Sequence, residues 1–70
     1  MYAVIETCGN AVLGVTLQPT HMDAINRACE LVDERGLSAT DEAKQEVLDA
    51  LGSQGYYGHG DYRVTVIEGT

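Results

Sequence analysis

Three side chains that could transfer protons lie close together near the C-terminal end of the chain. Tyr57, His59 and Asp61 fall within one short stretch, and such a cluster can act as general acid and base when its groups are held within hydrogen-bonding reach of a substrate. His59, however, lies between two glycines, so we expect a mobile backbone and no preorganised base. We predict no catalytic residue and no enzyme, and keep catalysis by this cluster as an alternative.

The cysteines and histidines are too scattered to predict a metal site. Cys8, His21, Cys29 and His59 lack the paired short spacing of structural zinc ligands. Cys29 falls on a predicted buried helix stripe, and Cys8 has no basic neighbour in the sequence to activate it as a nucleophile. We therefore predict no metal and no cofactor.

The stretch "GSQGYYGHGDY", residues 52 to 62, is rich in glycine and tyrosine. Phosphate-binding loops run into a helix and usually carry a lysine, whereas these glycines leave a helix and no lysine follows. We interpret 53 to 61 as a loop in which Tyr56 and Tyr57 provide amphipathic contact area, as in binding loops. The alternative is that one ring closes the core while the other lies on the surface.

The surrounding elements predict an α+β fold in a single domain, 1 to 70. Strands at 2 to 8 and 11 to 17 flank the tight turn Gly9-Asn10, and a last strand covers 61 to 68. Thr20 and Thr40 are predicted to cap two helices that end at Gly36 and Gly52. The expected order is ββααβ, a three-stranded sheet with both helices on one face, and the direction of the last strand stays open.

Hydrophobic alternation then assigns the core. Pairing across the turn, without a shift, predicts a core face made of Tyr2, Val4, Leu13, Val15 and Leu17, which Tyr62, Val64 and Val66 of the last strand extend. The predicted buried helix stripes are Met22, Ile25, Ala28, Cys29 and Val32, then Ala43, Val47, Leu48 and Leu51. The opposite sheet face carries Ile5, Val12 and Ile67, which is the basis for an alternative function as a small homodimeric or antitoxin-like module.

Charge gives the clearest functional indication. Eleven acidic against four basic residues leave a net charge of -7, which repels nucleic acid and favours a basic protein partner. From 20 to 51 there are eight acidic and three basic side chains, a net charge of -5. The predicted partner-binding residues are Glu30, Asp33, Glu34, Asp41, Glu42, Glu46 and Asp49, with Tyr56 and Tyr57. With neither a signal peptide nor a membrane-spanning run, we expect a cytoplasmic protein without membrane contact.

The short acidic chain, with its "MYAVIE" hairpin, two helices and closing "YRVTVIE" strand, is similar in general style to small proteins of phages and mobile elements, including anti-CRISPR proteins. The resemblance implies a non-enzymatic inhibitor that binds a nuclease or a CRISPR-Cas surveillance complex in the host cell. It would block access of target DNA by charge mimicry, or block a protein contact. It assigns no individual residues.

Overall fold

The computed structural model describes residues 1–69, which form six elements in two layers. They are β1 (Tyr2–Cys8), β2 (Ala11–Gln18), α1 (His21–Glu34), α2 (Asp41–Gln54), β3 (Tyr56–His59) and β4 (Tyr62–Glu68). The strands form one sheet in the order β2-β1-β4-β3, and every neighbouring pair is antiparallel. The α+β class is confirmed, while the expected three strands are four in the structure and the order is ββααββ.

Both helices begin where the sequence predicts. The Thr20 hydroxyl accepts a 3.1 Å hydrogen bond from the Asp23 backbone N–H, and the Thr40 hydroxyl accepts one of 3.1 Å from Ala43. Each bond satisfies a backbone donor that has no partner inside the first turn of its helix. The two capping threonines therefore set the start of both helices.

The end of α2 and the segment after it differ from the prediction. The helix passes through Gly52 and ends only at Gly55, which has a φ of 83° and donates its backbone N–H to the Leu51 carbonyl. A left-handed conformation favours glycine, so Gly55 is the residue that terminates the helix. The predicted loop at 53 to 61 instead comprises the end of α2, strand β3 and a tight turn at Gly60 and Asp61.

The pairing of β1 with β2 contains a β-bulge that the sequence analysis missed. Next to the turn, Thr7 faces Val12, but Glu6 faces Gly14, so Leu13 is an extra residue in β2. A bulge of this kind shifts the register by one residue, and a one-residue shift moves the side chains beyond it to the other face of the sheet. Beyond the bulge, therefore, the faces of β2 are reversed relative to the prediction.

The reversal exposes the apolar residues of β2. Val15 faces Ile5 and Leu17 faces Ala3, on the side of the sheet away from the helices. Leu13, Val15 and Leu17 are 43%, 59% and 64% exposed, so their predicted place in the core is wrong. On the helix side, β2 places Gly14, Thr16 and Gln18 opposite the core-facing residues of β1.

The core lies between the helices and the two central strands. Its buried hydrophobic residues are Val4, Ala24, Ala28, Leu31, Val32, Val47, Leu51, Tyr62 and Val64. Ala24 and Ala28 are fully buried, and side chains this small allow α1 to lie close to the sheet. The predicted stripes were partly wrong, because Met22 is 66% and Leu48 is 42% exposed. Their exposure leaves apolar side chains on the outer surface of the helices.

Candidate functional site

The acidic residues singled out in the sequence are all exposed on the helical layer, which consists of α1 and α2. On α2, Glu42, Glu46 and Asp49 are spaced by four and three residues, so they lie along one side of the helix. We call these three residues the acidic row; Asp41 precedes it. Among the described residues no ion pair involves any of these four carboxylates, and only Asp49 accepts a side-chain hydrogen bond, of 2.9 Å, from Gln45.

The spacing of the acidic row is comparable with that of nucleic-acid phosphates. At a rise of about 1.5 Å per residue, the three carboxylates of the acidic row follow one another about every 5 Å along the helix axis. One strand of double-stranded DNA carries one charge about every 3.4 Å. The acidic row is therefore a line of carboxylates on one side of α2, with a charge density of about two-thirds of that of one DNA strand.

A groove of about 330 Å³ lies between α1 and α2. Its lining residues are Asn26, Cys29, Glu30, Asp33, Ser38, Lys44, Val47 and Leu48. Glu30 forms a 3.1 Å ion pair with Arg27, and Asp33 accepts a 3.4 Å hydrogen bond from the Ser38 hydroxyl. The groove thus combines apolar side chains with two carboxylates and the ammonium group of Lys44, and Glu34 lies at the end of α1 beyond it.

The Cys29 thiol in this groove is poorly suited to nucleophilic chemistry. It is partly buried, and desolvation raises the pKa of the thiol above its ordinary value. Because the thiolate is the reactive form of cysteine, a raised pKa keeps the side chain in its unreactive state. The groove is therefore better suited to binding an apolar side chain than to covalent catalysis.

The two tyrosines of the predicted binding loop lie on opposite faces of the sheet. Tyr57 faces the helices and packs against the core. Tyr56 is on the other face, where the Arg63 guanidinium lies 4.5 Å from its ring centroid. The structure therefore does not join Tyr56 and Tyr57 with the acidic residues in one surface. Instead it matches the alternative in which one ring closes the core and the other lies on the surface.

The cluster considered for proton transfer is also divided. Tyr57 points into the core side, His59 is exposed at the end of β3, and Asp61 is exposed in the following turn. Within residues 1–69 no hydrogen bond joins these three side chains. No group of three histidine, cysteine, aspartate or glutamate residues in the same part of the chain could hold a metal ion.

A buried carboxylate on the core side of β1 forms the most elaborate polar cluster. Glu6 is only 5% exposed and accepts a 2.5 Å hydrogen bond from the Tyr62 hydroxyl. Arg35 donates to the same carboxylate from Nε at 3.3 Å and from Nη2 at 3.4 Å. The sequence gives one indication of this cluster, an acidic residue on the core face of a strand. It does not indicate the partners Arg35 and Tyr62, because both are distant along the chain.

The protonation states in this cluster follow from burial and charge. Desolvation by itself raises the pKa of Glu6, but the hydrogen bonds from Arg35 and Tyr62 outweigh it and hold the pKa below its ordinary value. Desolvation and the Glu6 carboxylate together raise the pKa of the Tyr62 hydroxyl well above its ordinary value. Tyr62 therefore remains a hydrogen-bond donor, and the cluster fixes β1, β4 and the end of α1 to one another.

The second large surface is the side of the sheet away from the helices, which we call the open sheet face. Strand alternation and pairing place on it Ala3, Ile5, Thr7, Val12, Val15, Leu17, Tyr56, Gly58, Arg63, Thr65 and Ile67. Val12 and Leu17 are each 64% exposed, Val15 is 59% and Ile67 is 48% exposed. No carboxylate belongs to this set of residues, and Arg63 is its single charged member.

These features define a small two-layer α+β protein with an acidic helical layer and an apolar, nearly uncharged sheet surface. Comparison of the chain with protein families, with curated proteins and with solved structures found no match. Neither helix in the described part of the chain is long and apolar enough to cross a membrane. The helical layer and the open sheet face are therefore the two surfaces of the molecule that bear on its function.

Proposed function

We propose that this protein is a non-enzymatic inhibitor that binds a basic, nucleic-acid-binding surface of another protein through its helical layer. The acidic row carries the proposal, because it presents three carboxylates without an ion pair among the described residues, at about two-thirds of the charge density of one DNA strand. A cationic groove that accepts phosphates would attract the same arrangement. A host defence complex, such as a CRISPR-Cas complex, is the target class that fits this chemistry and the general resemblance of the chain.

The interhelical groove provides an apolar contact surface, which the exposed carboxylates do not. Exposed charge pairs contribute little affinity each, and most binding energy comes from a few side chains that are buried in the interface. Leu48 and Val47 give the groove an apolar wall, and Glu30 and Asp33 lie beside it. A basic partner could insert an apolar side chain there while its lysine or arginine residues contact Glu30 and Asp33, the two carboxylates that line the groove.

Neutralising the acidic row is expected to weaken binding to such a partner by about 10-fold. The variant is Glu42→Gln, Glu46→Gln and Asp49→Asn, which removes three carboxylates at nearly constant volume. If each carboxylate contributes about 0.5 kcal/mol, the loss is about 1.5 kcal/mol. The chain first captures partner proteins from nuclease-treated bacterial lysate, at low and at high salt. The captured protein is then bound to a labelled DNA duplex, and the unmodified chain and the variant are compared for their ability to displace that DNA.

The matched control neutralises three exposed carboxylates elsewhere, by Asp23→Asn, Asp61→Asn and Glu68→Gln. The control changes the net charge by the same amount as the acidic-row variant. Like that variant, it removes one acidic residue from the first turn of a helix. We expect this control to displace DNA like the unmodified chain. Equal displacement by the row variant, or capture that persists unchanged in high salt, would show that charge mimicry by the acidic row is wrong.

A second candidate function follows from the open sheet face. Sheets that face solvent on one side normally carry polar residues there, whereas this face carries a cluster of exposed aliphatic side chains. A protein-interaction module that self-associates through this face is consistent with that observation. The occupant of the face is a separate question from the target of the helical layer.

A further inference from the structure

We propose that the open sheet face is the interface of a symmetric homodimer, in which the same face of a second copy packs against it. This rests on the second candidate function and specifies its interface, and it does not depend on the inhibitor function. The largest apolar patch on a protein surface is often an interaction site. The β-bulge at Leu13 creates the patch, because it moves Val15 and Leu17 to the side that the helices leave uncovered.

The distribution of charge favours a second copy over other partners. The open sheet face has no carboxylate to attract a basic protein. Its single charge, Arg63, is already stacked over Tyr56, so it offers little to an acidic one. An apolar, nearly uncharged counterpart is required, and the open sheet face of another copy has that composition.

Face-to-face packing also keeps the negative charges apart. Two packed sheets lie about 10 Å from each other, and each helical layer adds about 10 Å on its outer side. The acidic rows of the two copies are then separated by well over the Debye length of about 8 Å at physiological salt. Self-association through this face is therefore compatible with a net charge of -7 on each chain.

The size of the face sets the expected strength of the dimer. The four strands contain 26 residues, and at about 3.3 Å per residue and about 4.8 Å between strands they cover roughly 400 Å² on each copy. A stable interface typically buries about 800 Å² per partner, and smaller ones are weak. We therefore expect a weak dimer, with a dissociation constant between about 1 µM and about 1 mM. Edge-to-edge pairing of β2 is a poorer alternative, because the bulge lies within that edge strand and bulges discourage such pairing.

The test compares two glutamate substitutions by analytical ultracentrifugation between about 1 µM and about 1 mM, a range that brackets the expected dissociation constant. The unmodified chain should change from a mass of 7.5 kDa to twice that value as concentration rises. Leu17→Glu would bury a carboxylate from each copy, so dimerisation should weaken at least 100-fold. Met22→Glu is the matched control, since Met22 is 66% and Leu17 is 64% exposed, and it should dimerise like the unmodified chain.

Salt separates this proposal from the inhibitor function. An apolar interface should persist or strengthen at high salt, because salt screens the repulsion between two acidic chains. If circular dichroism shows that Leu17→Glu is unfolded, Ile67→Glu on β4 replaces it in the same experiment. An unmodified chain that stays monomeric over the whole range, or equal weakening by Leu17→Glu and Met22→Glu, would overturn the homodimer.

Discussion

Replacement of Leu51 by alanine is expected to lower the free energy of unfolding by about 3 kcal/mol. Leu51 is 1% exposed and lies in the centre of the core between α2 and the sheet. At about 0.05 to 0.15 kcal/mol per residue, a domain of this size has a total stability of roughly 4 to 10 kcal/mol. The substitution therefore removes a large share of the stability, which urea denaturation would measure as a lower midpoint.

Leu48→Ala is the matched control, because it makes the same chemical change three residues earlier on the same helix. Leu48 is 42% exposed, so its loss should cost less than about 1 kcal/mol. Leu48 also lines the interhelical groove, and we expect its removal to weaken partner binding while leaving the fold stable. Equal losses of stability at the two positions would mean that α2 is rotated relative to the structure described above.

Tyr62→Phe is expected to lower the free energy of unfolding by about 2 kcal/mol at neutral pH. It removes a hydrogen bond to a buried, ionised carboxylate, and bonds to charged groups contribute about 1.5 to 3 kcal/mol. Tyr56→Phe is the control, because no hydrogen bond to the Tyr56 hydroxyl occurs among the described residues, and it should change stability little. Equal effects of the two substitutions would contradict the role of the Glu6 cluster.

The same cluster predicts a dependence of stability on pH. The folded state holds the pKa of Glu6 below its ordinary value of 4.5. Its contribution is therefore fully present above about pH 4.5 and is lost as the pH falls through the lower pKa of the folded state. The difference in stability between the unmodified chain and Tyr62→Phe should shrink over that acidic window. A difference that stayed constant down to acid pH would contradict ionisation of Glu6 in the folded state.

The features that the sequence predicted correctly depend on neighbouring residues. Thr20 and Thr40 cap their helices through the backbone N–H three residues later, so a short segment contains the whole interaction. The Gly9-Asn10 turn is equally local. Exposure of the carboxylates on α2 was also predictable, because they occupy the positions that the apolar stripe leaves over.

The features that the sequence did not predict depend on distant contacts. The bulge shifts β2 by one residue, and both registers place an alternating strand beside β1, so alternation alone could not decide between them. Strand β3 has four residues, one of them glycine, and its structure depends on pairing with β4. Glu6 is stabilised by partners 29 and 56 residues away, which no local pattern could identify.

A dimer joined through the open sheet faces would also affect inhibition. The two acidic rows would point outward on opposite sides, so one dimer could contact two basic surfaces. Binding of a multi-subunit or repeated target would then benefit from the higher effective concentration of the second copy. Leu17→Glu should remove this benefit without changing the affinity of a single helical layer for its target.

The register of β1 with β2 determines which residues form the open sheet face, and NMR spectroscopy can measure it directly. Cross-strand nuclear Overhauser effects between backbone protons identify residues that face each other in an antiparallel pair. The structure predicts such contacts between Ile5 and Val15 and between Ala3 and Leu17. Contacts between Val4 and Val15 and between Tyr2 and Leu17 would show that the bulge is absent. Val15 and Leu17 would then face the helices. The open sheet face would keep only Ile5, Val12 and Ile67 as large apolar side chains, which is too small an apolar surface for the proposed dimer.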